Sequence, residues 1–522
     1  MREKQFSLIA AGLLLFVVLL LSTSVFAKSN DTVRVGMRYD PSTVNIIEMK
    51  LGNDLPVILG MHETLITVDP KTGERIPFLA EKLEIMENGK DIRIKLRKGS
   101  RFHTGDPVTA HDVKFTYEQC VDPKNANMLA GPIDEIEEIE VLDDYNLIFH
   151  FWEPYAAWRE LMWVGICSKK YYEKVGREEF RKHPVGSGLF RFVERKIGES
   201  VTLELDRNYA QKGYLKERFG QDLPDFKRLQ FVTVPDDITR LAMLETGELD
   251  LVSGILPHQV KRLKRNKYVK IKSTDQVPSL FGMVCLPRTD PVMSDRYLGM
   301  AITHAINRQE IVDKIFLGQG YSMYMYASKS ELGYDPNIRF DFNPDKAREY
   351  LKKSAYKPGY PLTLTYTSIL PNSPLIAAAI QKYLKDVGIT VKLQQLEEGT
   401  ATTYTRNRDK RLGHLRLYSW AGGRDPSMRL LLSVLSTSPY TVATNRPRKD
   451  EMDALVKAQS HELDEKKRLA MLKQIHEIMT YDATGIVLFG LNMIYAMSDR
   501  IEYTWTPNES FLFNLNTIKV VK

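Results

Sequence analysis

Ile94-Lys95-Leu96-Arg97-Lys98-Gly99-Ser100-Arg101-Phe102-His103 runs, after one residue, into Gly105-Asp106-Pro107-Val108-Thr109-Ala110-His111-Asp112-Val113. Ile92, Ile94 and Leu96 alternate with Arg93, Lys95 and Arg97, which predicts a strand with one buried face. Gly105-Asp106-Pro107 predicts a turn, and Thr109 with Asp112 three residues later predicts a helix start. Gly99 and Gly105, together with Gly188 further on, are expected at turns that need positive φ.

Outward from this stretch, strands and helices mix along the whole chain. Val201, Leu203 and Leu205 repeat the strand alternation, as do Ile389, Val391 and Leu393. Asn343-Pro344 predicts a capped helix start, with Ala347, Tyr350 and Leu351 on one face. Ile376, Ile380, Leu384 and Val387 mark a further helix, ended by Gly388. A strand near 362–366, that helix and the strand at 389–393 make a βαβ unit. Asp295–Leu317 holds two short helices, with Asn307 and Glu310 at capping-box spacing between them. No internal repeat or low-complexity segment breaks the pattern.

The N-terminus reads as an export signal. Arg2 and Lys4 precede an apolar run, Leu8–Leu21, and Val25-Phe26-Ala27 offers a small-residue cleavage site. The run is shorter than the roughly 20 residues that span a bilayer, so cleavage after Ala27 is expected and not an uncleaved anchor. No cysteine lies near the site to carry a lipid. A freely diffusing product then implies a periplasm. Hydrophobic content of 43% and charged content of 27% are ordinary globular values. The length, 522 residues, suggests two or three domains. Cys120, Cys167 and Cys285 are too widely spaced for a metal or redox motif, so free buried thiols are the simple reading. The net charge is +7, and basic residues cluster in 260–272 and 406–411. Without aromatic platforms or a recognition motif, these read as solvated helix faces and not as nucleic-acid patches.

Signatures of catalysis are missing from the sequence. Gly186-Ser187-Gly188 is too short for a nucleophile elbow. His62-Glu63, His461-Glu462 and His476-Glu477 each lack the second histidine of a zinc-protease helix. No P-loop occurs, and the 10 histidines have no metal-ligand spacing. A triad assembled in space stays open, because triads are not sequence motifs.

The segments quoted above belong to a longer series. Gly60-Met61-His62-Glu63-Thr64-Leu65-Ile66-Thr67-Val68-Asp69 leads into Pro77-Phe78-Leu79-Ala80-Glu81-Lys82-Leu83. Pro184-Val185-Gly186-Ser187-Gly188, Leu241–Asp250, Ala301–Arg308 with Ile311, Asn343–Ala347 and Val387-Gly388-Ile389 follow in order. In order and spacing the series resembles the peptide/nickel-binding family of periplasmic solute-binding proteins, family 5, across essentially the whole mature chain. The resemblance implies an α/β, two-lobed periplasmic binding protein fold of type II, with a hinge and an extra third domain. By that analogy the signal peptide is 1–27, lobe I is 28–62, 184–282 and 494–522, the extra domain is 63–183, and lobe II is 283–493. It implies a receptor for an ABC importer that captures a small organic ligand, peptide-like or anionic, in the interlobe cleft and delivers it to a permease in the inner membrane. No enzyme activity, cofactor or nucleic-acid partner is expected, and the protein should be a monomer. A secreted enzyme or a periplasmic chaperone on the same scaffold is the alternative, and a metal chelate or an oligosaccharide the alternative ligand.

The resemblance also places the ligand site, at Leu415–Trp420 and the loop Ala421-Gly422-Gly423-Arg424-Asp425-Pro426. Trp420 either walls the ligand or packs into the core. Gly422 and Gly423 let a ligand approach backbone amides. Peptide-binding members place an Asp where Gly423 stands, to hold the ligand ammonium. The Ser368–Asn372 loop also lacks the Arg that holds a dipeptide carboxylate. Arg424 instead offers a forked cation suited to an anion, or else is a surface side chain. Asp425-Pro426 is either a turn device or, with a one-residue shift, the ammonium ligand. No His follows Asp425-Pro426 until His461, which counts against the nickel branch. Tyr321, Met323, Tyr324, Met325 and Tyr326 either line a pocket or pack a loop.

Overall fold

The computed structural model describes residues 31–50, 52–276, 280–285, 291–368, 370–421, 423–438, 441, 448–482, 485–509, 511–512 and 514–521. The expected export signal and Gly422 lie outside these residues, as does the side chain of Cys285.

Two large sheets carry the two lobes. The first has seven strands in the order Val269–Thr274, Met493–Ser498, Leu251–Ser253, Thr32–Met37, Arg228–Thr233, Ser200–Leu205, Phe190–Lys196. Thr32–Met37 pairs in parallel with both neighbours, and the other pairings are antiparallel. A buried ion pair, Arg500 to Asp250 at 2.7 Å, ties the C-terminal part of the chain to this sheet. The second sheet has six strands, in the order Gly320–Ser322, Gly485–Leu491, Leu280–Cys285, Leu415–Ala421, Leu362–Tyr366, Val391–Gln395. Leu362–Tyr366 and Val391–Gln395 run parallel, joined by the helix Ser373–Asp386, as the βαβ pattern predicts. The second strand begins at Val391, so Ile389 precedes it. The chain passes between the two sheets twice, between Thr274 and Leu280 and at Asn492. Two crossings of this kind make a hinge.

A third unit hangs on the first lobe. Its four strands are Ala80–Ile85, Asp91–Leu96, Asn146–Phe151 and Ile136–Asp143, all antiparallel. Ile92, Ile94 and Leu96 are buried, as alternation requires, in a core with Leu147, Phe149 and Phe151. The helix Ala110–Val121 covers that core. It starts at Thr109, as predicted, and the start is a capping box in which the Thr109 N–H donates to Asp112 Oδ2 at 2.9 Å.

The glycine motif at 186–188 works differently from the expectation. Gly99 and Gly105 do adopt positive φ, at 95° and 90°, but Gly188 does not. Gly188 instead lies against another backbone: its N–H donates to the Met61 carbonyl at 2.7 Å, and a Cβ there would lie 2.5 Å from the Met61 carbonyl carbon. The His103 N–H donates to the Gly186 carbonyl at 2.9 Å, so three separate sequence motifs meet where the third unit joins the first lobe. Beside them Tyr209 donates to Glu63 Oε1 at 2.6 Å, and burial pushes the Glu63 carboxyl up to about 7. Burial pushes His62 down to about 4. The basic stretch 260–272 is a helix face only in part. Lys261 and Arg262 sit on the helix Pro257–Leu263, whereas Lys270 and Lys272 lie on a strand and face Glu502. Cys120 and Cys167 are free and buried.

Candidate ligand site at the end of a central strand

The strand Leu415–Ala421 lies inside the six-stranded sheet, antiparallel to Leu280–Cys285 and parallel to Leu362–Tyr366. Leu415 and Leu417 are buried in the lobe core, which fixes the register, and the strand stays paired with its neighbour as far as Trp420 and Ala421. Trp420, at that end, is half-buried. It meets Tyr418 edge-to-face, with centroids 5.8 Å apart, beside the cluster built on Met323, Tyr326 and Leu430. One part of the ring therefore packs and the other part is open.

Past Trp420 the chain turns toward the first lobe and the third unit. The Arg424 carbonyl accepts the Leu332 N–H at 3.0 Å, which anchors the loop in its own lobe. Its guanidinium reaches across, with Nη1 donating to the Gly73 carbonyl at 3.0 Å. Gly73 is the tip of the hairpin joining Ile66–Val68 and Arg75–Pro77, where φ is 71°. Arg424 lies in a field of charges. Arg75 pairs with Glu160 at 3.2 Å and with Glu509. Burial pushes the Glu509 carboxyl up to about 7, against the pull of Arg75. Burial, then repulsion by Arg424, lowers the pKa of Arg159. Arg75 and Arg424 thus both act on Glu509, while Arg159 faces Glu465. Among the described residues, the rest of the Arg424 fork has no hydrogen-bond partner.

Asp425, next in the chain, points the other way. Its Oδ1 accepts from Arg468 Nη2 at 2.6 Å and from the Ser427 N–H at 2.9 Å. Both side chains of the ion pair are 9% exposed, so Asp425 is committed to the interior of its own lobe. Gly423 is half-buried and carries no side chain to hold an ammonium group. Tyr321, Met323, Tyr324 and Met325 line a cavity of about 290 Å³ with Lys329 and Arg339, while Met323 and Tyr326 also pack into the core, so pocket and packing coexist in that stretch. A second cavity, about 110 Å³, is lined by Leu59, Glu63, Trp163, Tyr209, Phe219 and Leu512 and shares no residue with the Trp420 loop. Among the described residues no cluster of three His, Cys, Asp or Glu side chains is placed to hold a metal ion, and no helix is long and apolar enough to cross a membrane.

Sequence patterns missed several partners. Gly73 and Glu509 are distant in the chain and carry no local signal. Arg468 does carry one. It sits with Leu472, Ile475 and Met479 on the buried stripe of the helix Glu465–Tyr481, and an arginine in an apolar stripe implies a buried acid opposite.

The model of bacterial extracellular solute-binding proteins, family 5, matches residues 74–441 of this chain. The glutathione-binding protein GsiB of Escherichia coli O6:K15:H31 is 22% identical over 510 residues, covering 95% of each chain. The di/tripeptide-binding protein 3 of Pseudomonas aeruginosa is 25% identical over 434 residues, covering 77% of this chain and 79% of that protein. Among solved structures, the ABC transporter substrate-binding protein CtaP of Listeria monocytogenes superposes with a TM-score of 0.82 at 22% identity, over 94% of this chain and 99% of that one. The match over most of the length, on a two-lobed fold whose chain crosses between the lobes twice, places this chain in the bacterial extracellular solute-binding proteins, family 5.

Proposed function

We propose that the protein is the periplasmic receptor of an ABC importer, and that its ligand is a small peptide-like molecule carrying an anionic group. It captures that solute between the lobes without chemical change and presents it to a permease in the inner membrane. The names of the relatives, glutathione-binding and di/tripeptide-binding, support the peptide-like class. The domain division is the one drawn from the sequence, with the loop 420–425 facing the cleft between lobe II and the rest.

The observation that carries the ligand class is the opposite orientation of two neighbouring charges. Arg424 reaches out of its lobe to the Gly73 carbonyl of the third unit, while the Asp425 carboxylate is turned inward onto Arg468. A zwitterionic peptide entering this cleft loses water from its ammonium group and meets a guanidinium. A buried, uncompensated ion costs several kcal/mol. An anionic group at the same place gains a charge-assisted hydrogen bond, worth about 1.5–3 kcal/mol. Trp420 supplies an apolar wall, and the backbone amide of Gly423 supplies a neutral donor.

Titration calorimetry with di- to pentapeptides, glutathione and small dicarboxylates tests this. Anion-bearing or end-blocked solutes should bind tighter than simple dipeptides. Arg424→Ala should weaken them about 10- to 100-fold, the equivalent of the charge-assisted bond. Tight dipeptide binding that survives Arg424→Ala and disappears only in Asp425→Asn would contradict the proposed ligand class.

A further inference from the structure

A continuous chain of contacts runs from the Trp420 loop to the third unit on the other side of the cleft. Arg468 is its centre. Besides Asp425, Nη2 donates to Ser427 Oγ at 2.7 Å, and Nε donates to the Gln459 carbonyl at 3.1 Å. Gln459 is fully buried, two residues from the end of the helix Lys449–His461, and accepts from Ser427 Oγ through Oε1 at 3.1 Å. One guanidinium therefore fixes both the loop and the last turn of this helix.

That last turn is where the third unit docks. The Ala156 N–H donates to the Ser460 carbonyl at 2.8 Å. His461 Nδ1 lies 2.9 Å from the Pro154 carbonyl oxygen. The last four carbonyls of a helix have no partner within it, and here another domain supplies one. Tyr155, between these two residues, is buried and stacked on Phe151 with centroids 6.0 Å apart, so the docking segment is held by its own core.

We propose that Arg468 is a positioning residue that couples the Trp420 loop to docking of the third unit. Asp425 and Gln459 are its two arms: the first sets the loop and the second sets Ser460 and His461 against Pro154 and Ala156. A shift of the loop then moves the docking surface, and closure on ligand and capture by the third unit occur together. The inference rests on the assignment of 420–425 as the ligand loop, but its mechanical part is independent of any ligand. Arginine suits the role because its planar fork holds several acceptors in fixed directions, which a lysine ammonium does not.

The test is cross-linking of the full mature chain with no solute added, so that a wrong ligand assignment leaves it intact. Glu153→Cys and Glu462→Cys, which flank the docking contacts and are not buried, are introduced together in a Cys285→Ser background, the native Cys120 and Cys167 being buried, and joined by a short bismaleimide. Melting temperature is recorded for every variant. Cross-linking should slow at least 10-fold in Arg468→Met and in Asp425→Asn, with partial recovery in Arg468→Lys. A merely structural ion pair would lower the melting temperature and leave the cross-linking rate as in the parent. Parent rates in folded Asp425→Asn and Arg468→Lys overturn the proposal, and these two decide the matter if Arg468→Met does not fold.

Discussion

His476 shows what a single buried group does to the behaviour of the protein. It is fully buried, neither ring nitrogen has a hydrogen-bond partner among the described residues, and burial pushes its pKa down to about 3, with Arg429 adding to the effect. Above pH 6.5 the ring is neutral folded and unfolded, and it contributes nothing to pH dependence. Below 6.5 the unfolded chain binds a proton that the folded chain refuses, so stability falls by up to about 1.4 kcal/mol per pH unit as pH drops toward 3. His62 acts in the same direction, so the effect is isolated by comparison: His476→Leu should lose less melting temperature than wild type between pH 6.5 and 4.5. Parallel curves would contradict this account of His476. The residue scale is also where sequence served least. Trp420, Arg424 and Asp425 were legible as candidates because they stand together in the chain. Their partners Gly73, Arg468 and Glu509 were not, because ion pairs and hairpin tips are chosen by the folded chain and leave no periodic trace.

Elements were easier to read than residues. Asn343 caps the helix Pro344–Lys353, Asn307 caps Arg308–Ile315, and Thr109 with Asp112 opens Ala110–Val121, all as the local chemistry predicts. Such signals survive because caps and alternation depend on neighbours within four residues. The failures were positions set by tertiary approach. Gly188 reads as a turn glycine but owes its identity to the Met61 backbone. Gly282 is of the same kind, in the strand Leu280–Cys285: a Cβ there would press into the ring of buried Phe489 on the adjacent strand. Gly282→Ala should therefore overpack the centre of the six-stranded sheet and destabilise by about 1–3 kcal/mol, measured by denaturant unfolding followed by fluorescence. An unchanged midpoint would mean that the two strands separate more easily than the packing suggests.

At the scale of the whole molecule, the fold is an interleaving that chain order hides. Strands from 32–37, 190–274 and 493–498 share one sheet, and the chain crosses to the other lobe and back between them. Local pattern supplied the elements, and only the resemblance of spaced motifs supplied their assembly. The assembled molecule has two lobes joined by two crossings of the chain, and Arg424 and Ser460 of the second lobe meet Gly73 and Ala156 of the third unit. A receptor built in this way encloses its ligand and returns it unchanged. Native mass spectrometry of protein purified without denaturation, compared with the same sample after acid denaturation, tests it most directly. One small, anion-bearing, peptide-like solute should be bound in a one-to-one ratio and released with its mass unaltered when it is added back and recovered. A solute recovered as a different chemical species, or no bound solute in the undenatured sample, would contradict it.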